Sequence, residues 1–157
     1  MDLKTILEYE EGFRNEPYLC SEGFVTIGLG TKLHDLKGLD PSDFPVMVSR
    51  RIAFEWLETE VSIKSQRMMN DWAHQEAYDN LSEDRKAVVL SMAYQMGTRG
   101  VKKFKNMWFA LSRGEFDVAA SEALDSRWAA QTPERADRVA RVLRGESLEE
   151  VYGHIYD

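Results

Sequence analysis

Only one stretch of this 157-residue chain reads as β-structure, and it is short. Pro17-Tyr18-Leu19, the turn residues Ser21-Glu22-Gly23 and Phe24-Val25-Thr26-Ile27 set aromatic and β-branched residues on either side of turn chemistry, which predicts a β-hairpin. Gly28 and Gly30 allow another bend, and Thr31 to Leu33 can add a third short strand. The run from His34 to Pro45, with its Gly, Asp and two Pro, reads as loop. Every other periodic stretch is helical, so the fold class is α+β, with a small strand-bearing N-terminal lobe and a helical C-terminal one.

The helical readings rest on caps and on apolar spacing. Asp2 can cap a helix through Leu3, Ile6 and Leu7 that ends near Gly12. Ser49, followed by Ile52, Trp56, Leu57, Val61 and Met68, predicts a helix of about five turns that links the lobes. From Ser82 onward three apolar groups recur at helical spacing: Val88, Val89, Met92 and Met96, then Phe104, Trp108 and Leu111, then Phe116, Ala119, Ala120 and Leu124. Thr132 before Pro133 supplies a cap and a proline at the first helical position, opening a helix through Val139 and Leu143 that stops near Gly145.

Composition narrows the class. Apolar residues make up 43% and charged residues 30%, with 10 Gly and 4 Pro, a balance that supports one compact folded unit and not a disordered or repetitive chain. The longest apolar runs, such as Phe24 to Ile27 and Val88 to Leu90, fall far short of the roughly 20 residues of a membrane helix. Met1-Asp2-Leu3-Lys4 does not open a secretory signal, so the expected place of synthesis is the cytoplasm. A single cysteine, Cys20, excludes an internal disulfide framework and a cysteine-based structural zinc site. The net charge of -7 is unevenly spread: Arg85 to Arg144 holds 12 Lys and Arg against 6 Asp and Glu, leaving -13 for the rest. That basic segment is a candidate surface for anionic polymers, or else a set of solvated helix faces.

Several motifs carry little chemistry. Gly28-Leu29-Gly30 is no dinucleotide loop, because Leu33 stands where the third glycine is required and no lysine motif follows. His34, His74 and His154 lack ligand spacing, so no metal and no cofactor is implied. Trp56, Trp72, Trp108 and Trp128 sit at helical positions and read as core rather than as ligand platforms.

The informative blocks are Glu11-Gly12-Phe13-Arg14 through Tyr18 and on to Thr26-Ile27-Gly28-Leu29-Gly30, then Tyr94-Gln95-Met96-Gly97, Ser126-Arg127-Trp128 and Gln131-Thr132-Pro133-Glu134-Arg135-Ala136. Together they closely resemble the phage lysozymes of the T-even type, glycoside hydrolase family 24. The resemblance covers residues 8 to 33 and 78 to 145 well, residues 34 to 77 mainly by helix placement, and the C-terminus barely. It implies a two-lobed muramidase, a single domain over residues 1–157, that cuts the β-1,4 bond between N-acetylmuramic acid and N-acetylglucosamine in a cleft between lobes. The lobes are expected at about 13–48 and 70–157, with the first helix, 2–11, packed on the C-terminal lobe and a linker helix over about 49–68. The implied setting is that of an endolysin: a monomer made in the host cytoplasm, binding peptidoglycan and neither nucleic acid nor membrane, and reaching the periplasmic wall after a holin permeabilises the inner membrane. A wall-degrading domain of a tail or toxin, and a peptidoglycan-binding protein without catalysis, are the alternatives.

The family's catalytic pattern, Glu, eight residues, Asp or Cys, five residues, Thr, is met by Glu11, Cys20 and Thr26. Most relatives carry aspartate where this chain has Cys20. Inversion needs an acid at the leaving oxygen and a base that activates water on the opposite face. Glu11 is the expected acid, with Arg135 pairing to orient it by family correspondence. An unperturbed thiol, with a pKa of about 8.5, is only about 3% ionised at pH 7, so Cys20 as a base needs a depressed pKa, expected from Arg14 or Arg135. As thiolate it can deprotonate water, giving inversion, or attack the anomeric carbon, giving retention; as an inert thiol it would simply pack. The Thr26 hydroxyl can position the water, and Glu22 is the spare carboxylate. The resemblance assigns substrate contacts to Gly30, Tyr94, Gln95 and Arg135. Thr31 and Glu60 stand where some relatives carry a His and Asp pair, and Glu10 with Arg138 is expected to form a structural bridge.

Overall fold

The computed structural model describes residues 1–70 and 72–157, with their side chains apart from those of Met69 and Trp72. The fold is α+β. Helix α1 (Leu3–Glu11) precedes strands β1 (Arg14–Leu19), β2 (Phe24–Gly28) and β3 (Thr31–Lys37), and a 3-10 turn at Pro41–Asp43 leads to the long helix α2 (Arg50–Met69). Then come α3 (Trp72–Asp79), α4 (Glu83–Met96), α5 (Thr98–Lys102), α6 (Lys105–Ser112), α7 (Phe116–Leu124), α8 (Arg127–Gln131), α9 (Pro133–Arg144) and α10 (Leu148–Tyr152). The chain forms two compact units, Leu7–Glu60 and Met1–Ile6 with Val61–Asp157, the divisions falling inside α1 and α2.

In the unit of residues 7–60 the three strands form an antiparallel sheet in the order β1-β2-β3. β1 pairs Tyr18 with Thr26, and β3 pairs Lys32 with Thr26 and Lys37 with Phe24. Pro17, which cannot donate to a ladder, sits on the edge strand β1 where that loss is tolerated. The strands are longer than expected. β1 begins at Arg14 and β3 runs to Lys37, through His34 to Lys37, which read as loop. That stretch has little strand composition; the bulged ladder to β2, closed by the Gly38 amide donating to the Gly23 carbonyl at 2.9 Å, holds it extended. Gly28 adopts φ +69, and an added Cβ would lie 3.1 Å from the Ala53 Cβ, so a positive φ and a close approach of β2 to α2 both require glycine here.

In the other unit the buried core includes Val88, Met92, Met107, Leu143 and Tyr152, and Ile6 of α1 belongs to the same cluster. Trp108 and Trp128 are buried, as their helical positions imply. Trp56 is not: it is 39% exposed on α2, in the unit of residues 7–60, a position that spacing alone placed in the core. Trp72, also read as core, has its side chain outside the described residues. Asp2 and Ser49 cap as expected, accepting from the amides of Thr5 (3.0 Å) and Ile52 (3.3 Å). Thr132 differs. Its hydroxyl donates to the Trp128 carbonyl at 3.1 Å and makes no cap bond, although Pro133 still opens α9.

Candidate active site

Glu11 is the last residue of α1, and Gly12, with φ +67, turns the chain out of the helix and into β1. Cys20 follows β1 at the mouth of the hairpin, where its amide donates to the Phe24 carbonyl at 3.0 Å and its own carbonyl accepts from Gly23 at 2.9 Å. Thr26 lies in the middle of β2, only 2% exposed, directly across from Tyr18. The hairpin thus folds Cys20 back toward Thr26, six residues away, and the Thr26 hydroxyl is among the groups that favour the Cys20 thiolate.

The Cys20 thiol is held below its ordinary pKa. Burial pushes it up, but the backbone N–H groups of Phe24 and Glu22 and the Thr26 hydroxyl favour the thiolate and outweigh burial together with the opposing Glu22 carboxylate. The stabilising groups are hairpin donors; the arginine expected from sequence is not among them. Thr26 has one proton to give. Its hydroxyl donates to the Phe24 carbonyl at 2.9 Å, so to solvate a thiolate it must turn from that carbonyl to sulfur, and it can accept from a thiol without turning.

Tyr18 is tied to this group electrostatically. Burial raises its phenol pKa first, then the Glu11 carboxylate, against the lowering effect of Arg14, and Cys20 raises it further. Glu11, Arg14 and Cys20 thus all act on one phenol, and Arg14 stacks on that ring 4.6 Å from its centroid. Tyr18 was legible only as a strand residue; its tie to the candidate pair follows from the β1–β2 register. Gly30, at φ +88, is needed by the turn between β2 and β3 whatever else approaches it.

The candidate residues of the other unit are engaged with protein groups. The Gln95 amide accepts from the Trp128 indole at 2.8 Å and donates to the Thr132 hydroxyl at 3.4 Å. Arg135, 7% exposed, donates from Nη2 to the hydroxyl and carbonyl of Ser91 at 3.0 and 3.1 Å. Lys64 lies over the Tyr94 ring at 5.6 Å. Beside Trp128 a groove of ≈ 560 Å³ is lined by Lys103, Phe104, Lys105, Glu122 and Arg127 among others. The described residues include no group of three or more His, Cys, Asp or Glu arranged to hold a metal ion.

Comparison with known proteins bears on what this group of residues does. The family described as phage lysozyme matches residues 8–144. Two relatives from Dictyostelium discoideum, probable T4-type lysozyme 1 and probable T4-type lysozyme 2, are 27% and 32% identical, covering 93% and 94% of this chain and 95% and 96% of their own lengths. The pre-baseplate central spike protein Gp5 of Enterobacteria phage T4 is 28% identical over 95% of this chain, which matches 28% of that longer protein.

Proposed function

This chain belongs to the phage lysozyme family and is a lysozyme glycosidase, a muramidase-type peptidoglycan hydrolase, and on that premise we propose that Glu11, Cys20 and Thr26 carry out the cleavage. Glu11 gives its proton to the leaving glycosidic oxygen of the β-1,4 bond between N-acetylmuramic acid and N-acetylglucosamine. Cys20, as thiolate, takes a proton from the water that attacks the opposite face of the sugar, and Thr26 holds that water. The anomeric configuration then inverts. The reading is supported above all by the hairpin itself, which pairs Leu19 with Val25 and so brings Cys20 near Thr26, together with a thiol held below its ordinary pKa at a position where the family commonly has aspartate. Gly30, Tyr94, Gln95 and Arg135 are the proposed sugar contacts.

In this reading the protein is a monomeric endolysin made in the host cytoplasm, which lyses the host by reaching peptidoglycan in the periplasm once a holin opens the inner membrane. The resemblance to a segment of a spike protein supports a second setting, a wall-degrading module within a larger particle protein. Release of reducing sugar ends from purified peptidoglycan tests the chemistry in either setting. Wild type should release them, and Glu11→Gln, which keeps the shape but has no acid proton, should fall by about 10² to 10⁴. A variant retaining more than roughly a tenth of wild-type cleavage, well outside that range, removes Glu11 as the acid.

A further inference from the structure

Lys32 and Lys37, both on β3, bring their ammonium groups to one ring. Lys32 Nζ lies 3.8 Å from the Phe24 ring centroid and Lys37 Nζ lies 5.2 Å from it, so the two charges are no farther apart than the sum of those distances. Two lysines five residues apart on a regular strand would face opposite sides; the register shift between Phe24 and Thr26 lets both reach the same ring. Neither forms an ion pair with a carboxylate among the described residues. That is notable in residues 7–60, which hold 11 Asp and Glu against 5 Lys and Arg. Two like charges thus share one ring with no carboxylate ion pair among the described residues.

The position of this cluster is set by the ladder. Directly paired residues project from the same face of a sheet, so Tyr18, Thr26 and Lys32 form one cross-strand row, and Phe24 with Lys37 forms the next. We propose that the Lys32–Phe24–Lys37 cluster binds carboxylates carried by the peptide arms of the peptidoglycan strand, on the sheet face that bears Thr26. The inference rests on the reading of that face as catalytic. The Phe24 ring attracts both ammonium groups, which lowers the entropy lost when they take up an anion. A carboxylate offers two oxygens to two ammonium groups and is the anionic group intrinsic to peptidoglycan. A contact of this kind, held equally in the bound and transition states, acts through KM.

The test compares purified peptidoglycan with the same strands after their carboxyl groups have been converted to neutral methylamides, at low salt. Wild type should cleave the carboxylate form with a kcat/KM roughly three- to tenfold higher, mostly through KM, the size expected of two exposed ion pairs. The double variant Lys32→Gln, Lys37→Gln should lose this preference, and Lys32→Arg, Lys37→Arg should keep it. Three results would overturn the proposal: a wild type without the preference, a glutamine variant that retains it, or a preference that vanishes when phosphodiester polymers are stripped from the wall while carboxylates remain. Cleavage of the methylamide strands by wild type reports the hydrolase reading independently.

Discussion

At the scale of single residues, the proposed chemistry turns on how a hairpin holds a thiol below its ordinary pKa. The donors that favour the Cys20 thiolate are two turn amides and one hydroxyl, and only the hydroxyl can be removed without rebuilding the turn. Thr26→Val keeps the β-branched shape and takes away one donor to the charged form, so the Cys20 pKa should rise. The midpoint of thiol alkylation against pH should therefore move to higher pH in Thr26→Val than in wild type; an unchanged or lower midpoint would remove Thr26 from that role. Alkylating wild-type Cys20 should abolish cleavage, and the first product released should be the α-anomer, since the β-anomer would mean a glycosyl intermediate on sulfur or another retaining route. The sequence shows the spacing of Glu11, Cys20 and Thr26 directly. It does not show what stabilises the thiolate: arginines stand out in a sequence, whereas every residue has a backbone N–H, and only the turn decides which of them point at sulfur.

At the scale of elements, local signals read well and long-range ones poorly. Asp2 and Ser49 act within three residues of their own positions, so their caps could be read from the chain. β3 could not be read to its end, because the ladder to β2 holds His34 to Lys37 extended where composition suggests loop. Thr132 sits in a cap position, yet its hydroxyl is drawn to Trp128 four residues earlier. Trp56 has helical spacing yet is 39% exposed, because spacing does not say which side of a helix another element will cover. Two substitutions test the elements themselves. Ser147 and Glu150 form a reciprocal capping box at the start of α10, so Ser147→Ala should cost about 1 kcal/mol in denaturant unfolding. Gly28→Ala should cost more than 1 kcal/mol, about the ordinary strain of a side chain in the left-handed region, because the new methyl group also meets Ala53. A neutral result would mean that β2 and α2 can separate without loss.

At the scale of the whole molecule, charge separates along the chain: all of Arg85 to Arg144 lies in the unit built from residues 1–6 and 61–157. Binding of the intact protein to anionic sacculi should weaken as salt rises, despite the net charge of -7. Lys103 and Lys105 are exposed on the groove beside Trp128, and Lys103→Glu with Lys105→Glu should weaken binding further; Lys102 is a poorer probe, since its ammonium donates to the Arg67 carbonyl at 2.9 Å. Salt-independent affinity would contradict this steering. The central claim, that Cys20 serves as the base in a lysozyme site, is tested most directly by peptidoglycan cleavage against pH for wild type and Cys20→Asp. A base works only when ionised, and the lowered thiol pKa still belongs to a thiol, so activity should rise with pH as the thiolate forms. Cys20→Asp should stay active with its ascending limb at lower pH, because a carboxylate is ionised where the thiol is not. Ascending limbs that coincide in the two proteins would contradict the account.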